Sequence, residues 1–170
     1  MIDLNSGKLY VCCGAPGSGK STFLSDIKDP NEVIVSRDKI RFSLVKPDEP
    51  YFSKEREVTK ALWDKINKEL ASGNTVFVDQ TSLTRKSRKW LLDHIITNNC
   101  NHINLIWIDE NLKTCLERNE QRKGTRGYVP RESIVNMHNS FEEPSLDEGF
   151  YRIFKYNSTN DKITYKGVIL

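Results

Sequence analysis

The sequence lacks the features that mark membrane, secreted and metal-binding proteins. None of its apolar runs approaches the roughly 20 residues that a membrane-spanning helix needs. Its N-terminal residues do not form a basic segment followed by an apolar one, as a secretory signal would. The three histidines are scattered, with no second ligand at metal-binding spacing. We therefore expect a cytoplasmic protein that does not associate with a membrane and holds no metal through histidine.

Cysteine is scarce and is not arranged for redox chemistry. The sequence has four cysteines and no C-x-x-C pair. Cys12 and Cys13 are neighbours, and neighbouring side chains on a strand point to opposite faces. This usage is typical of free thiols in a reducing compartment.

The net charge of +3 permits an anionic partner but does not require one. The distribution of charge is more informative than the total. Basic residues cluster at 85–89 and at 118–131, whereas acidic residues gather at 142–148. The two basic clusters are the segments where we expect an anionic ligand to bind.

Short apolar runs alternate with amphipathic segments, which predicts strands alternating with helices. Buried strands are predicted at 9–13, 33–35, 75–78, 103–108 and 151–156, with an edge strand within 162–170. Helices are predicted at 20–27, from 37, and at 53–72, 85–98, 111–123 and 130–141. The alternation favours one α/β domain over residues 1–170, a three-layer αβα sandwich with a mainly parallel sheet. Ligands of such sheets bind beyond the carboxyl ends of the strands.

Two of the predicted helices have apolar faces that we expect to pack on the sheet. The face of the helix at 53–72 consists of Val58, Leu62, Ile66 and Leu70. The core-facing residues predicted in the helix at 85–98 are Trp90, Leu91, Ile95 and Ile96.

The segment after the first strand matches the phosphate-binding pattern G-x-x-x-x-G-K-[ST] in full. Its glycines let backbone N–H groups turn towards a phosphate, and the helix that follows adds a positive dipole end. Lys20 is expected to reach the β- and γ-phosphates of ATP, and the Ser21 hydroxyl to hold Mg²⁺. The residues expected to bind the nucleotide are Gly14, Ala15, Pro16, Gly17, Ser18, Gly19, Lys20, Ser21 and Thr22.

Two aspartates follow predicted strands, where the site is expected. Asp79 ends the strand at 75–78, and a carboxylate there can hold Mg²⁺ directly or through water; a plain turn or cap is the alternative. Asp38 follows the strand at 33–35, where a carboxylate can accept the proton of an attacking hydroxyl. The alternative for Asp38 is a residue that merely favours a helix N-terminus. Arg41 lies one helical turn further on and can hold a phosphate of the acceptor.

Three arginines, Arg118, Arg122 and Arg126, recur every four residues and form one basic face if the segment is helical. Two glycines interrupt this segment, which predicts a mobile flap. Arginines on a flap can close over the phosphates and stabilise charge in the transition state. A solvated charged face is the alternative. We predict a helical lid at approximately 112–140, with all three arginines at the nucleotide.

Together these residues resemble the kinase domain of the bacteriophage polynucleotide 5′-hydroxyl kinase family and its P-loop relatives. The resemblance covers residues 9 to about 141. The matching segments are Gly14 to Thr22, Arg37-Asp38-x-x-Arg41, Asp79-Gln80-Thr81-x-Leu83 with Arg88, Arg118-Asn119 through Arg122, Gly124-Thr125 and Val129-Pro130.

The resemblance implies a P-loop kinase-like fold and a role for most of the candidate residues. The implied catalytic residues are Lys20, Asp38 as general base and Arg122 at the transition state. The residues implied to contact the acceptor are Arg41, at its 3′-phosphate, Thr81 and Arg88. ATP and Mg²⁺ are the implied cofactors, and nucleic acid repair in the cytoplasm of a bacterial host is the implied setting.

The sequence departs from the family pattern at two points. The lid carries one extra residue around Lys123-Gly124, which leaves the register of Arg126 open. An aspartate directly before Thr81 is the pattern of the phage enzyme, but here Gln80 stands between Asp79 and Thr81. No D-x-D-G-T segment is present, so we expect no phosphatase activity from this chain.

The leading hypothesis is ATP-dependent phosphorylation of a 5′-hydroxyl on DNA or RNA. Tyr51, Phe52 and Tyr128 can stack on bases, although such aromatic residues more often serve in core or rim packing. One alternative is a kinase of another hydroxyl, such as a hydroxymethylated base in DNA or a small metabolite. The other is a nucleotide-binding switch without transfer, against which Asp38 argues. The acceptor and the oligomeric state stay open.

Overall fold

The computed structural model describes residues 8–100 and 102–167, which form a six-stranded sheet with helices on both faces. The strands are β1 (Leu9–Cys13), β2 (Val33–Ser36), β3 (Val76–Asp79), β4 (Ile103–Ile108), β5 (Arg152–Asn157) and β6 (Lys162–Gly167). Their order in the sheet is β2-β3-β1-β4-β5-β6. β6 pairs with β5 antiparallel, and all the other pairings are parallel. The predicted edge strand is therefore confirmed, and its last three residues lie outside the described residues.

The helices follow the strands as the alternation predicted. They are α1 (Lys20–Ile27), α2 (Arg37–Leu44), α3 (Glu55–Ala71), α4 (Arg85–Leu92), α5 (Leu112–Glu120) and α6 (Arg131–Asn139). Every helix in the described part of the chain is too short or too polar for a membrane span.

The core has two layers because successive side chains of a buried strand face opposite sides of the sheet. Leu9, Val11 and Cys13 of β1 pack on one side, in the cluster that includes the apolar face of α3. Tyr10 and Cys12 pack on the other side with residues of α1. This arrangement confirms the three-layer α/β fold with a mainly parallel sheet. The predicted inner face of α3 is confirmed as well, since Val58, Leu62, Ile66 and Leu70 are all buried.

The four cysteines are free and buried. Burial raises the pKa of the Cys13 thiol to about 12, so the thiol stays protonated at neutral pH. A protonated thiol is a poor nucleophile and a poor metal ligand. The predicted inert role of cysteine therefore agrees with its surroundings.

The prediction for α4 was wrong in two respects. The helix ends at Leu92, and a short 3₁₀ turn at Thr97–Asn99 follows it, so no single helix spans 85–98. Leu91 and Ile95 are buried as predicted, but Trp90 is 54% exposed and Ile96 is 53% exposed. The helix buries Arg88 alongside Leu91, because the Arg88 guanidinium finds a carboxylate partner inside the fold. Trp90, two residues on, therefore faces outwards.

Candidate functional site

The loop between β1 and α1 forms a concave phosphate cradle that only glycine permits. Gly17 and Gly19 have φ angles of +81° and +102°, a left-handed conformation that other residues rarely adopt. A Cβ atom on Gly17 would lie 2.4 Å from the carbonyl oxygen of Cys115 in α5. The pattern residues thus fold as the sequence predicted, with the loop packed tightly against α5.

The donors inside this cradle fit a polyphosphate. The Lys20 ammonium is buried and donates to the carbonyls of Gly14 and Ala15, at 2.9 Å each. The Ser18 hydroxyl is buried too, and no described residue gives it a hydrogen-bond partner. This hydroxyl is closed off from the open space in front of the loop, so it packs inside the loop and does not face a ligand. The arrangement fits the triphosphate of a nucleotide.

Ser21 and Asp79 meet beside the cradle. The Ser21 hydroxyl donates to Asp79 Oδ2 at 2.7 Å, because β1 and β3 are neighbours and end at the same edge of the sheet. Hydroxyl and carboxylate oxygens are ligands that Mg²⁺ accepts, usually together with substrate phosphates and water. The described residues contain no group of three histidine, cysteine or acidic side chains that would hold a metal alone. The pair therefore fits a magnesium ion carried by a nucleotide.

Asp38 faces this region from the first turn of α2. Its Oδ1 atom accepts hydrogen bonds from Arg41 Nη1 and from the Tyr51 hydroxyl, the latter at 2.9 Å. Both hydrogen bonds are made to Oδ1. The other carboxylate oxygen, Oδ2, accepts no hydrogen bond from the described residues. The side chain of Asp38 is 59% exposed. A carboxylate held through one oxygen and open at the other can accept a proton from an incoming hydroxyl.

Glu55 holds the arginines around Asp38, and the sequence analysis missed it. Its carboxylate accepts from Arg41 Nε at 2.9 Å and Nη2 at 3.2 Å, and from Arg37 Nη2 at 2.8 Å. Glu55 lies at the start of α3, 14 residues beyond Arg41, and nothing in its local sequence marks it. The one signal available was an acidic residue in the first turn of a helix, which ordinarily indicates only a favourable dipole interaction.

The pKa shifts at this cluster fix its charges. Burial alone would raise the pKa of Glu55, but hydrogen bonds from Arg41 and Arg37 lower it below its usual value. Burial also raises the pKa of Tyr51, with help from the Asp38 charge, to about 12. Glu55 is therefore ionised and Tyr51 protonated at neutral pH, so Tyr51 remains a hydrogen-bond donor to Asp38.

Two cavities meet at the phosphate cradle. The larger, about 570 Å³, lies outside the cradle and is lined by residues that include Phe23, Asp26 and Tyr156. The smaller, about 280 Å³, contains Lys20, Ser21, Asp79 and the Asp38–Arg41–Glu55 cluster. Gly17, Gly19, Thr22 and Arg122 line both. The geometry suits a nucleoside in the larger cavity, its phosphates in the cradle and an acceptor in the smaller cavity, which we call the acceptor cavity.

The three predicted lid arginines occupy different places. Arg122 lies in the turn after α5 and lines both cavities beside the cradle. Arg118 donates to the carbonyl of Ser18 at 3.2 Å and to the Ser158 hydroxyl at 2.8 Å, so it contacts the outside of the cradle. Arg126 instead donates to the carbonyls of Phe42 and Val45, at 3.3 and 2.6 Å, at the end of α2. The structure therefore brings Arg118 and Arg122 to the cradle but ties Arg126 to α2.

Glu110 supports the cradle from behind and was also missed. It accepts from the hydroxyls of Ser158 and Thr159, at 2.6 and 2.7 Å. Burial opposes ionisation, but these bonds keep its pKa below the usual value. The Ser158 oxygen also lies 3.0 Å from the Ser18 carbonyl oxygen, so its one hydrogen is shared between that carbonyl and the closer Glu110 carboxylate. Glu110 thereby links the turn between β5 and β6 to the phosphate cradle.

The two remaining substrate residues also differ in position. Thr81 lines the acceptor cavity, and its carbonyl accepts from the Gly14 N–H at 2.9 Å. Arg88 is fully buried and donates to both Glu148 carboxylate oxygens, at 2.7 and 3.0 Å, and to the Ser82 carbonyl. This burial corrects the predicted direct contact with substrate, since every direction of the guanidinium is occupied by protein. Arg88 instead supports the loop that carries Thr81.

Comparison with known proteins identifies the type of fold. A family model described as an AAA domain matches residues 9–144, which is most of the chain. No curated protein matches the sequence. Many solved structures match the model, and three of them represent different kinds of protein.

One is a chain of the Pnkp1/Rnl/Hen1 RNA repair complex, with a TM-score of 0.64 and 25% identity. That match covers 78% of this chain but 43% of the other, so this chain spans less than half of that protein. Another is Kti12 from Chaetomium thermophilum in complex with ADP-AlF3, with a TM-score of 0.64, 19% identity and 91% coverage of both chains.

The third is a sugar kinase from Janibacter sp. HTCC2649, with a TM-score of 0.64 and 16% identity. The match covers 88% of this chain and 84% of that one. At such identities, the Kti12 and sugar kinase matches show the fold alone. All three place the described residues in the P-loop kinase-like fold.

Proposed function

This chain belongs to the AAA domain family of P-loop kinase-like proteins, and from that premise we propose that it is a polynucleotide 5′-hydroxyl kinase. Membership of this family implies nucleotide binding. The proposal adds a reaction: transfer of the γ-phosphoryl group of ATP to the 5′-hydroxyl of a DNA or RNA strand.

One observation carries the proposal. Lys20, Ser21 and Asp79, which fit the phosphates and their magnesium ion, line the same cavity of about 280 Å³ as the Asp38 carboxylate. Nucleotide binding alone needs no second carboxylate there beyond Asp79, which fits the magnesium ion. A phosphotransferase needs one to take the proton of the acceptor hydroxyl.

The residues divide the reaction between them. Asp38 accepts the proton of the acceptor hydroxyl, whose oxygen forms a bond to the γ-phosphorus as the bond to the β,γ-bridging oxygen breaks and ADP leaves. Lys20 and Arg122 offset the negative charge that spreads over the transferring oxygens. Magnesium, when bound by Ser21 and Asp79, would neutralise charge on the β- and γ-phosphates. Tyr51 and Arg41 keep Asp38 in place.

Arg41 also retains the means to bind an acceptor phosphate. A guanidinium has five N–H donors. Four of them are used inside the protein: two donate to the Glu55 carboxylate, one to Asp38 and one to the Tyr51 hydroxyl. The remaining Nη2 hydrogen reaches no acceptor among the described residues. Arg41 is only 4% exposed, but it lines the acceptor cavity, where this hydrogen can meet the 3′-phosphate of the first acceptor nucleotide. This supports a nucleotide strand over a sugar, which offers no phosphate at that place.

The aromatic surroundings support the same choice. The Phe52 side chain lines the acceptor cavity and is 64% exposed, the largest exposure of any large apolar side chain described. Exposed aromatic rings beside a reactive hydroxyl suit the face of a nucleobase. The similarity to a protein of an RNA repair complex, at 25% identity, points in the same direction.

A transfer assay tests the proposal. The protein is incubated with Mg²⁺ and γ-labelled ATP and with a panel of acceptors: 5′-hydroxyl DNA and RNA, DNA with hydroxymethylated bases, nucleosides and sugars. We expect label on the 5′-hydroxyl strands and none on the same strands already carrying a 5′-phosphate. Label that appears only on a hydroxymethylated base or a small molecule would overturn the polynucleotide assignment in favour of another P-loop kinase.

A further inference from the structure

A third cavity, smaller than the two at the phosphate cradle, lies beside the acceptor cavity. It has a volume of about 180 Å³ and lies between α3 and α4. Arg37, Gln80 and Thr81 line both this cavity and the acceptor cavity, so the two lie side by side. Trp63 and Trp90 form its outer wall. The two tryptophans therefore lie next to the acceptor cavity, on the far side of the shared polar side chains.

The outer wall is a cluster of three rings, which we call the aromatic platform: Trp63 of α3, Trp90 of α4 and His94 in the turn that follows α4. The ring of Trp63 stacks on that of His94 with centroids 3.5 Å apart and planes 5° from parallel. Trp90 meets Trp63 edge-on, with centroids 5.3 Å apart. The rings fix one another's orientation, which gives a preformed surface with little entropy to lose when a ligand stacks on it.

Trp90 contributes little to the buried core. Its side chain is 54% exposed, whereas Leu91 and Ile95 supply the buried contacts of this segment. Trp63 is partly buried and packs against the core. A smaller or polar residue at position 90 would leave the core intact, so the exposed ring is better explained by a ligand than by packing.

Unpaired cations flank the platform. Lys86 precedes Trp90 by one turn on α4, and Arg56 precedes Trp63 by two turns on α3, so each lies on the same side of its helix as the ring. Lys60 and Lys89, on the same two helices, pair with Asp64 and Asp93. Among the described residues, neither Lys86 nor Arg56 has a carboxylate within ion-pair distance. Both charges remain available to an anionic ligand.

We propose that the aromatic platform binds an unpaired nucleobase of the acceptor strand, 3′ of the nucleotide that is phosphorylated, with Lys86 and Arg56 contacting the strand's phosphates. The inference rests on the proposed function and extends it from the terminal nucleotide to the strand behind it. Aromatic faces next to basic side chains are the general means by which proteins hold single strands without reading their sequence. A base in a duplex presents no free face, so the acceptor end is single-stranded.

Acceptor length is the sharpest test. We compare kcat/KM for a nucleoside 3′-monophosphate, which carries the reacting hydroxyl and one phosphate, with 5′-hydroxyl strands of two, three and six nucleotides. Trp90→Ala is expected to lower kcat/KM for the longer strands about tenfold relative to the mononucleotide, chiefly through KM. Trp90→Phe, which keeps an aromatic face, is expected to restore most of the loss. Ile96→Ala is the matched control, since Ile96 is 53% exposed and lines neither cavity.

Abasic strands identify the stacked nucleotide independently. Removing the base at one position of a six-nucleotide acceptor should reproduce the effect of Trp90→Ala in the unmodified protein. In the Trp90→Ala variant, the same abasic strand should lower kcat/KM little further, because both changes remove the same stacking interaction. Additive losses at every position would overturn the platform assignment.

The remaining outcomes separate the two proposals. If the unmodified protein labels no 5′-hydroxyl acceptor of any length, the proposed function fails. If it labels them, and Trp90→Ala leaves the dependence on length unchanged, the platform inference alone fails. A Trp90→Ala variant that changes only the sedimentation coefficient would show instead that the platform joins two copies of the chain, which also overturns the inference.

Discussion

At the scale of single residues, the proposed function predicts that Asp38 separates phosphoryl transfer from nucleotide binding alone. We expect Asp38→Asn to lower kcat by about 10²- to 10⁴-fold, the range typical for a lost general base. Asparagine keeps an oxygen that accepts from Arg41 and Tyr51, so the cluster stays assembled. Nucleotide affinity, measured by isothermal titration, should change little.

Asp48→Asn serves as the control for this variant. Asp48 is an exposed aspartate in the loop between α2 and α3, and the same loss of charge there should leave kcat unchanged. An Asp38→Asn variant with nearly full turnover would contradict the assignment of Asp38 as base, even if the protein proved to be a kinase.

Glu55 offers a second test at this scale because its pKa is lowered in the folded chain. Its stabilising interactions are therefore complete above the unfolded pKa of about 4.3 and are lost as the pH falls through the folded value. At pH 7 we expect Glu55→Gln to cost about 1 kcal/mol, since the side chain is partly solvated, and to lower Tm by about 2–4 °C. The difference in Tm should begin to shrink below the unfolded pKa and disappear once the pH has fallen below the folded pKa of Glu55, where the glutamate is neutral in both states.

Thermal unfolding of both proteins between pH 7 and pH 3 measures this convergence. Glu57→Gln, an exposed glutamate in the same first turn of α3, should give a small difference at every pH. A Glu55→Gln deficit that stays constant down to pH 3 would mean that the loss is not one of charge.

The sequence identified Asp38, Arg41 and Arg88 as notable residues but could not assign their partners. Arg41 binds Glu55, 14 residues away, and Arg88 binds Glu148, 60 residues away. A basic side chain looks the same in sequence whether it faces an acceptor or a carboxylate of its own chain. The distinction depends on which acidic residue the fold brings near, and that is a property of packing rather than of local pattern.

At the scale of elements, the phosphate cradle depends on its contact with α5. Comparing alanine substitutions at Gly17 and Gly124 separates the steric effect of this contact from the cost of backbone strain. Their φ angles are +81° and +85°, so alanine meets the same conformational cost of about 1–2 kcal/mol at both. A Cβ on Gly17 would lie 2.4 Å from the Cys115 carbonyl, whereas nothing lies within 4 Å of one on Gly124.

We therefore expect Gly17→Ala to lower the free energy of unfolding by about 1–3 kcal/mol more than Gly124→Ala. Urea unfolding of the two variants gives the difference directly. Gly17→Ala should also weaken ATP binding, because relief of the clash moves the cradle away from α5. Equal losses in the two variants would show that the loop is not held against α5 in solution.

Element boundaries show where sequence patterns succeed and where they fail. The apolar runs of β1 to β5 and the phosphate-binding pattern identified their elements within a residue or two, because burial on both faces leaves a strong signal. The rotation of α4 was not predictable in the same way. Hydrophobicity favours Trp90 inside and Arg88 outside, but the Arg88–Glu148 pair reverses the two.

At the scale of the whole molecule, the site exists because of the strand order. β2, β3 and β1 are consecutive in the sheet, so the residues at their carboxyl ends lie side by side. Asp38 follows β2, Asp79 ends β3 and the phosphate cradle follows β1. The sequence indicated that each residue follows a strand, but it did not give the order. Another order would have separated Asp38 from the phosphate cradle.

Bound nucleotide and metal should consequently stabilise the whole domain, since they bridge loops from separate strands. At a concentration 100-fold above Kd, a ligand adds about 2.7 kcal/mol to the free energy of unfolding, which corresponds to a rise in Tm of roughly 5–10 °C for a chain of this size.

We expect ATP with Mg²⁺ to give a larger rise than ATP with a chelator. Ser21→Ala should abolish the part that depends on Mg²⁺ but keep the rest, because Lys20 and the backbone of the cradle are intact. Ser25→Ala, an exposed serine one turn further along α1, should behave like the unmodified protein. Equal rises with and without Mg²⁺ in the unmodified protein would contradict a metal site at Ser21 and Asp79.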